Sequence, residues 1–505
     1  MDQNNGGIIG KINTPTTTVA SGVWSLDSQF ESQSGSTWPL AFPQTTFTNS
    51  VRMDGDQSDD SLSRSISGVS TTKFSLSFWT KYAAIEGVGS EAPILFGSEN
   101  NSSDYITFQL NASNQIDFQF QGTQNRRITN RVFRDPSAYY HFLVVIDTTE
   151  STASDRLKIY VNGSQETSFA TSTTNVSQSA NISPIDETLN YSIGRYNGQS
   201  SDFCYDGYFS EFIAVYGQAL TPSSFGVFNT ISNVWEPRAY TGTYGSNGFK
   251  LNFSDSSNLG DDTSGNGNDF TVNNLTSVDQ STDTPSNNFA TLNSVAQWDT
   301  GGSNVYSEAN LKCVLSSNFG KATSTIGVTQ GKWYMEVKQT AENIPLGNGE
   351  SVINVIGDPI YTTSNWNGYA QTFGLRNHNG YEYTGTTEAT SQHSNWTAGD
   401  IIGVALDMDN LRVYFSKNGQ WYDGSGNWDE SSPNAYISLS SSYSTYFLCL
   451  TLSHDSATET FEVNFGSPSF SISSGNSDAN GHGNFEYAVP SGYYALCTKN
   501  LAEFG

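Results

Sequence analysis

The sequence predicts an all-β chain: two antiparallel β-sandwich domains on an extended N-terminal arm. Three observations carry that prediction. Apolar and polar residues alternate in short runs bounded by Gly, Asn, Asp and Ser. Longer patterns with the i, i+3, i+4 spacing of an amphipathic helix do not occur. Phe, Trp and Tyr supply 13% of the 505 residues, ample apolar surface to offset the chain entropy lost on folding.

Residues 1–44 are rich in Gly, Thr, Ser and Pro, with Trp24 and Trp38 as isolated anchors, and read as an extended arm. An arm too polar to fold alone gains order by docking, on a particle or in an oligomer, where the two tryptophans are buried. Residues 45–235 form a first β-domain. Within it Phe74, Leu76 and Phe78 fall on one strand face. Ile106–Leu110 and Ile116–Phe120, with a turn between them, form a hairpin. Leu157–Val161 runs into Asn162-Gly163, a dipeptide whose tolerance of positive φ suits a type I′ turn. Residues 236–292 are polar and turn-rich, a connector or a partial repeat. Residues 293–505 form a second β-domain whose C-terminal tail still holds the apolar stretch Tyr493–Cys497.

Lys and Arg total 22 against 49 Asp and Glu, a net charge of −27, although only 14% of residues are charged. Such a field repels a polyanion, and no sustained basic stripe interrupts it, so nucleic acid is excluded as a partner. No apolar run approaches the length of a membrane span, which excludes membrane insertion. The polar, Gly-rich start Met1–Lys11 lacks the apolar segment of a signal peptide. Four scattered cysteines, with Cys449 in the apolar run Tyr446–Leu450 reading as a buried thiol, fit synthesis in a reducing cytoplasm.

Particular residues carry resemblances to known families. Phe74–Lys81 (FSLSFWTK), Leu157–Gly163 (LKIYVNG) and Gly207–Thr221 (GYFSEFIAVYGQALT) resemble the laminin-G-like, concanavalin-type jelly-roll family over most of 45–235. Asp262–Asn268 (DTSGNGN) is similar to the opening of another such domain, with no complete domain after it. Gly399–Asp407 (GDIIGVALD) and Leu411–Gly419 (LRVYFSKNG) resemble the SPRY family, another β-sandwich, and Gly331–Val337 and Phe461–Gly466 match its earlier and later strands. The order of modules resembles structural proteins of marine tailed bacteriophages, from the Gly6–Gly10 and Ala20–Leu26 arm to the closing Pro490–Thr498. That resemblance implies a virion component, a tail fibre or appendage, made in the host cytoplasm and released by lysis. Its arm would sit on other virion proteins, its sandwiches would meet a host-surface glycan or protein, and a homo-oligomer, a trimer in a fibre, is implied. A capsid-attached decoration protein with no receptor role, or a polysaccharide depolymerase, are the alternatives.

Catalytic constellations are thin. Glycoside hydrolysis on a concanavalin-type sandwich needs two carboxylates flanking the scissile bond, which a Glu-x-Asp pair on one strand face supplies. None of the glutamates has an Asp two residues later; Glu211 is an example. No His-Glu-x-x-His or Gly-x-Ser-x-Gly motif occurs, and the five histidines are isolated. The expectation is a non-enzymatic binder. Loop aromatics beside Gly, Asn and Ser are the candidate contacts: Trp366, Tyr369, Tyr381, Tyr383, Trp396, Trp421, Tyr422 and Trp428. Flat rings stack on sugars or anchor peptides, and the same rings also serve as core. Arg126 and Arg127, with Arg131 and Arg134, form the one basic cluster, suited to an anionic glycan or an acidic neighbour, or to local salt bridges. No cofactor is expected. Calcium is weighed only at Asp261, Asp262, Asn266, Asn268 and Asp269, where a solvated Asx turn is the competing reading, and at Asp54, Asp56, Asp59 and Asp60.

Overall fold

The computed structural model describes residues 46–55, 60–83, 93–101, 104–183, 185, 189–195, 204–229, 232–296, 304–316, 320–343, 351–358, 371–377, 380–385, 387–389, 393–452 and 458–505. The arm with Trp24 and Trp38 lies outside them, as do Trp366, Tyr369, Asp56 and Asp59. Within them the protein is almost wholly antiparallel β-structure, closed by one short helix, Thr498–Phe504. The predicted class is the observed one.

The alternation of the early strands fills the core of the first sandwich. Phe78 on the strand Lys73–Tyr82 lies 4.8–5.9 Å, between ring centroids, from Phe108, Phe142, Phe209 and Phe212. All five rings are buried, each worth about 1.5–3 kcal/mol for leaving water. The back sheet runs in the order Ser164–Gln165, Leu157–Val161, Tyr140–Asp147, Lys73–Tyr82, Gly207–Tyr216, Ser50–Met53, Gln280–Ser281. The front sheet runs Phe169–Thr174, Asn125–Val132, Gln115–Phe120, Asp104–Leu110, Ile94–Asn101, Leu189–Ile193, Ser61–Ile66, Thr271–Asn273. The predicted hairpin pairs Ile106 with Phe120 and Leu110 with Ile116. Asn162 and Gly163 take φ values of 46° and 77°, as a type I′ turn requires. A Cβ on Gly163 would also meet the Trp235 ring at 2.4 Å, so the site demands glycine twice over.

Residues 236–281 are built into this sandwich, whereas Phe289, Ala290 and Leu292 at the end of the 236–292 segment pack into the second. Glu211, at φ 49°, forms a bulge in Gly207–Tyr216, and the register against Lys73–Tyr82 shifts there. On one side of the bulge the strand pairs with Ser50–Met53, on the other with Phe249–Leu251. Thr271–Asn273 and Gln280–Ser281 extend the front and back sheets. Strands of two or three residues carry no periodic signal, which is why this stretch reads as a connector in the sequence.

In the second sandwich the larger sheet centres on Lys332–Asn343, flanked by Thr458–Asn464 and Ile401–Asp407. The smaller sheet runs Lys321–Thr323, Tyr446–Leu452, Ser351–Gly357, Thr372–Arg376, Tyr381–Thr384, Thr387–Ala389. The C-terminal tail covers the outer face of the larger sheet. Buried Glu336 receives the backbone N–H groups of Glu486 and Tyr487 at 3.0 and 2.9 Å, and Tyr494–Ala495 pairs in parallel with Trp333–Tyr334.

Buried cations lock the two sandwiches together. Arg52, 1% exposed, donates to Glu308 and to the Pro468 carbonyl of the second sandwich, both at 3.0 Å, and to Asp279 at 2.8 Å. Lys81, equally buried, pairs with Asp283 and donates to Asn288 Oδ1 and the Phe289 carbonyl, with its ammonium over the rings of Tyr139 and Tyr208. A buried cation whose every nitrogen is hydrogen-bonded fixes orientation, because moving either domain would strand a charge.

Candidate functional site

The same alternation that aims Ile116, Phe118 and Phe120 into the core aims Gln115, Asp117 and Gln119 to the outer face of the front sheet. Cross-strand register then assembles what no single strand contains. Reading across eight strands, Thr271 pairs with Ser63, Ser63 with Ser192, Ser192 with Gly97 and Gly97 with Thr107. Thr107 pairs with Gln119, Gln119 with Arg126 and Arg126 with Thr173. The row is polar throughout apart from one glycine, and seven strand spacings of about 4.8 Å make it about 34 Å long. Its ends, Thr271 and Thr173, are exposed and its centre is buried. The outer faces of the back sheet and of the larger second-sandwich sheet instead carry apolar clusters, around Leu143, Val145 and Ile213 in one and Tyr334, Trp421 and Phe485 in the other.

Asp117, two residues from Gln119 on the same strand face, organises the polar groups beside the row. Its carboxylate, 1% exposed, accepts from Arg126 through both Nε, at 2.9 Å, and the terminal nitrogen. Gln109 and Gln119 donate to it at 3.3 and 3.2 Å, and the Tyr105 hydroxyl donates to Gln119 Oε1 at 3.0 Å. Hydrogen bonding to Asp117 raises the Arg126 pKa still further, so the guanidinium is permanently charged and committed. Thr107 Oγ1, buried beside Gly97 and Gln119, has no hydrogen-bond partner among the described residues. This is a set of fixed amide, hydroxyl and ion-pair groups on a flat scaffold, chemistry for hydrogen-bonded recognition. Tyr105, Gln109, Asp117 and Gln119 were not picked out by sequence reasoning. The signal was in Tyr105-Ile-Thr107-Phe-Gln109 and Gln115-Ile-Asp117-Phe-Gln119, where every outward position is a hydrogen-bonding side chain.

The basic cluster divides. Arg126 belongs to the row, whereas Arg127 is a structural residue, 2% exposed. It donates to the Thr173 carbonyl and Thr174 Oγ1 at 2.8 Å and to the Ser154 carbonyl at 3.2 Å, tying the sheet edge to the loop before Leu157.

The loop aromatics divide too. Trp396, Trp421, Tyr422 and Tyr383 are 1–6% exposed, so they build the second sandwich and present no free ring, a correction to their reading as contacts. Trp396 is pulled inward because its backbone N–H donates to buried Asn377 at 2.8 Å and its ring stacks on His393 at 5.7 Å and 9°. Trp421 packs against Tyr334, and the Tyr383 hydroxyl accepts from Arg376 at 2.9 Å. Burial pushes the Tyr422 hydroxyl up to about 12. Trp428 stays half-buried, with its indole N–H donating to the Ser394 carbonyl at 3.1 Å and the Lys417 ammonium 5.9 Å from its ring. The Tyr381 side chain lies outside the described ones.

The acidic loop weighed for calcium is satisfied by its own N–H groups. Asp262 accepts from the backbone of Lys250, Ser264 and Asn268 and from Ser264 Oγ, and Asp269 accepts from the Asp262 N–H. Asn266 and Asn268 turn their amide nitrogens to carbonyls of 245–248. Among the described residues no group of three or more His, Cys, Asp or Glu is placed to hold a metal ion. No helix of the described residues is long and apolar enough to cross a membrane.

Two family models match the chain, one in each sandwich. The concanavalin A-like lectin/glucanases superfamily model matches residues 54–224, and the SPRY domain model matches residues 326–436. No curated protein matches the chain. Among solved structures, the SPRY domain of human HERC1 is similar at 21% identity, over 30% of this chain and 87% of that one, with a TM-score of 0.26. A heptameric SAP-like pentraxin from Limulus polyphemus is similar at 13% identity, over 35% of this chain and 80% of that one, with a TM-score of 0.26. A human SPRY domain matches at 13% identity, over 30% of this chain and 90% of that one, with a TM-score of 0.22. The first sandwich recruits strands on both sides of its matched segment, Ser50–Met53 before it and Phe249–Leu251, Thr271–Asn273 and Gln280–Ser281 after it. The chain therefore joins a concanavalin A-like domain to a SPRY domain.

Proposed function

We propose that this chain is a virion structural protein of a tailed phage, a fibre or appendage subunit whose first sandwich contacts a host-surface glycan. The observation that carries the glycan part is the transverse polar row, with the Asp117–Arg126 ion pair near its Thr173 end. The accessible groups of the row and its flanks, from Thr271 and Ser63 through half-buried Tyr105 and Gln109 to Arg126 and Thr173, offer donors and acceptors along about 34 Å to an extended polyol, over a buried centre that holds the sheet. Support for binding over hydrolysis comes from the same strand. Asp117 has glutamines at both i±2 positions, and the second carboxylate of a hydrolase pair is missing from its immediate partners. The virion part rests on the module order and on the arm and closing segments quoted above. The two sandwiches, locked by Arg52 and Lys81, would project from the particle as one unit, with the 1–44 arm on other virion proteins and a homo-oligomer as the assembly.

The test uses full-length labelled protein on intact host cells and on cells stripped of surface polysaccharide. Tyr105→Ala and Gln109→Ala each remove a half-buried side chain that flanks Thr107 of the row on the same strand face. Adsorption that is lost on stripped cells and falls about tenfold in the variants supports the reading, tenfold being about 1.4 kcal/mol. Adsorption unaffected by stripping, or no adsorption with lowered particle stability when the protein is deleted, would instead favour a decoration role. Sugar release inactivated by a carboxylate variant would point to a depolymerase.

A further inference from the structure

A cleft of about 370 Å³ lies at the seam of the two sandwiches. One wall is Ser277, Gln280 and Thr282 of the first domain's edge; the other includes Ser471 and Asn484 of the second, with Phe470 among the apolar lining. None of the lining residues is charged, in a chain of net charge −27. The hydroxyls of Ser277, Thr282 and Ser471 and the side chain of Asn484 have no partner among the described residues. The walls are held at fixed separation. Arg52 bridges Asp279 and the Pro468 carbonyl, and the hydroxyls of Ser281 and Ser467 meet at 2.7 Å. Small-ligand sites commonly form in pre-formed clefts at domain interfaces, and the polar majority of this lining suits a polar ligand.

We infer that this cleft is a second binding site, for a neutral saccharide unit, separate from the row on the front sheet. The chemistry selects that class. A sugar ring pairs an apolar C–H face with hydroxyls, which matches half-buried Val278 and Ile472 beside free hydroxyl and amide groups, Phe470 being covered by the Lys338 ammonium at 4.9 Å. An ionic ligand would lose hydration here and find no opposite charge among the lining residues. The site exists only in the joined protein, since neither domain alone supplies both walls.

The test is isothermal titration of the full chain with neutral oligosaccharides cut from dextran, mannan and chitin, against anionic oligosaccharides cut from alginate. Ser277→Trp and Ser471→Trp fill the cleft from opposite walls at exposed positions. Thr282→Val with Ser471→Ala removes two hydroxyls with little change of volume and serves if a tryptophan disturbs folding. Gln109→Ala reports on the row. The expected result is binding of at least one neutral oligosaccharide, weakened about tenfold or more by the cleft variants at unchanged melting temperature and untouched by Gln109→Ala. Absence of neutral-sugar binding, preference for the anionic set, binding that survives all cleft variants, or binding lost only in Gln109→Ala would each overturn it.

Discussion

His141 should make the first sandwich acid-sensitive in a way one substitution removes. The imidazole is fully buried on Tyr140–Asp147, between Trp79 at 4.8 Å and Trp235 at 5.9 Å. The Trp235 indole N–H donates to Nδ1 at 3.2 Å, so the ring's own proton sits on Nε2 and is donated to Ser77 Oγ at 2.9 Å. Protonating Nδ1 would break the first bond and bury a charge, and burial pushes the pKa from 6.5 down to about 3. The unfolded chain takes up this proton near pH 6.5 and the folded chain does not. The stability is therefore fully present above about pH 6.5 and drains as pH falls towards 3, at about 1.4 kcal/mol per pH unit. At pH 4 the loss is about 3 kcal/mol. His141→Gln keeps an acceptor for Trp235 and a donor for Ser77 but does not titrate. Urea unfolding of both proteins at pH 7 and pH 4 measures the difference, because carboxylates titrating in that range do so in both. The variant should lose about 3 kcal/mol less than the wild type. Equal losses would refute the buried neutral imidazole.

Three further outcomes follow from buried contacts. Arg52→Met strands the carboxylates of Asp279 and Glu308 and should cost about 3–5 kcal/mol, with limited proteolysis releasing the two sandwiches separately. Trp396→Ala should cost about 3–5 kcal/mol in thermal unfolding, whereas half-buried Trp428→Ala should cost clearly less; the reverse order would restore Trp396 as a surface contact. Asp262→Ala leaves four donors without their acceptor and should cost at least about 1–3 kcal/mol, by the same amount in calcium and in chelator if the loop is self-satisfied.

Strand alternation and Asn-Gly turns are local, so the all-β class, the 106–120 hairpin and the 157–163 strand and turn were legible in the sequence. A side chain's parity along a strand says which face it takes. Parity alone does not say whether another layer covers that face. Trp421 and Tyr422 sit among turn residues as contacts would, yet the tertiary fold buries both. Arg126 and Arg127 are adjacent and chemically identical, and opposite parity sends one to the polar row and the other to backbone carbonyls at the sheet edge. The row itself is a product of register, since Ser63, Ser192, Thr107 and Gln119 become neighbours only through strand pairing. The cleft needs one step more, the docking of two domains by Arg52 and Lys81. Sequence by itself determined which residues alternate and turn; tertiary structure decided which faces meet, because pairing and docking act between residues far apart in the chain.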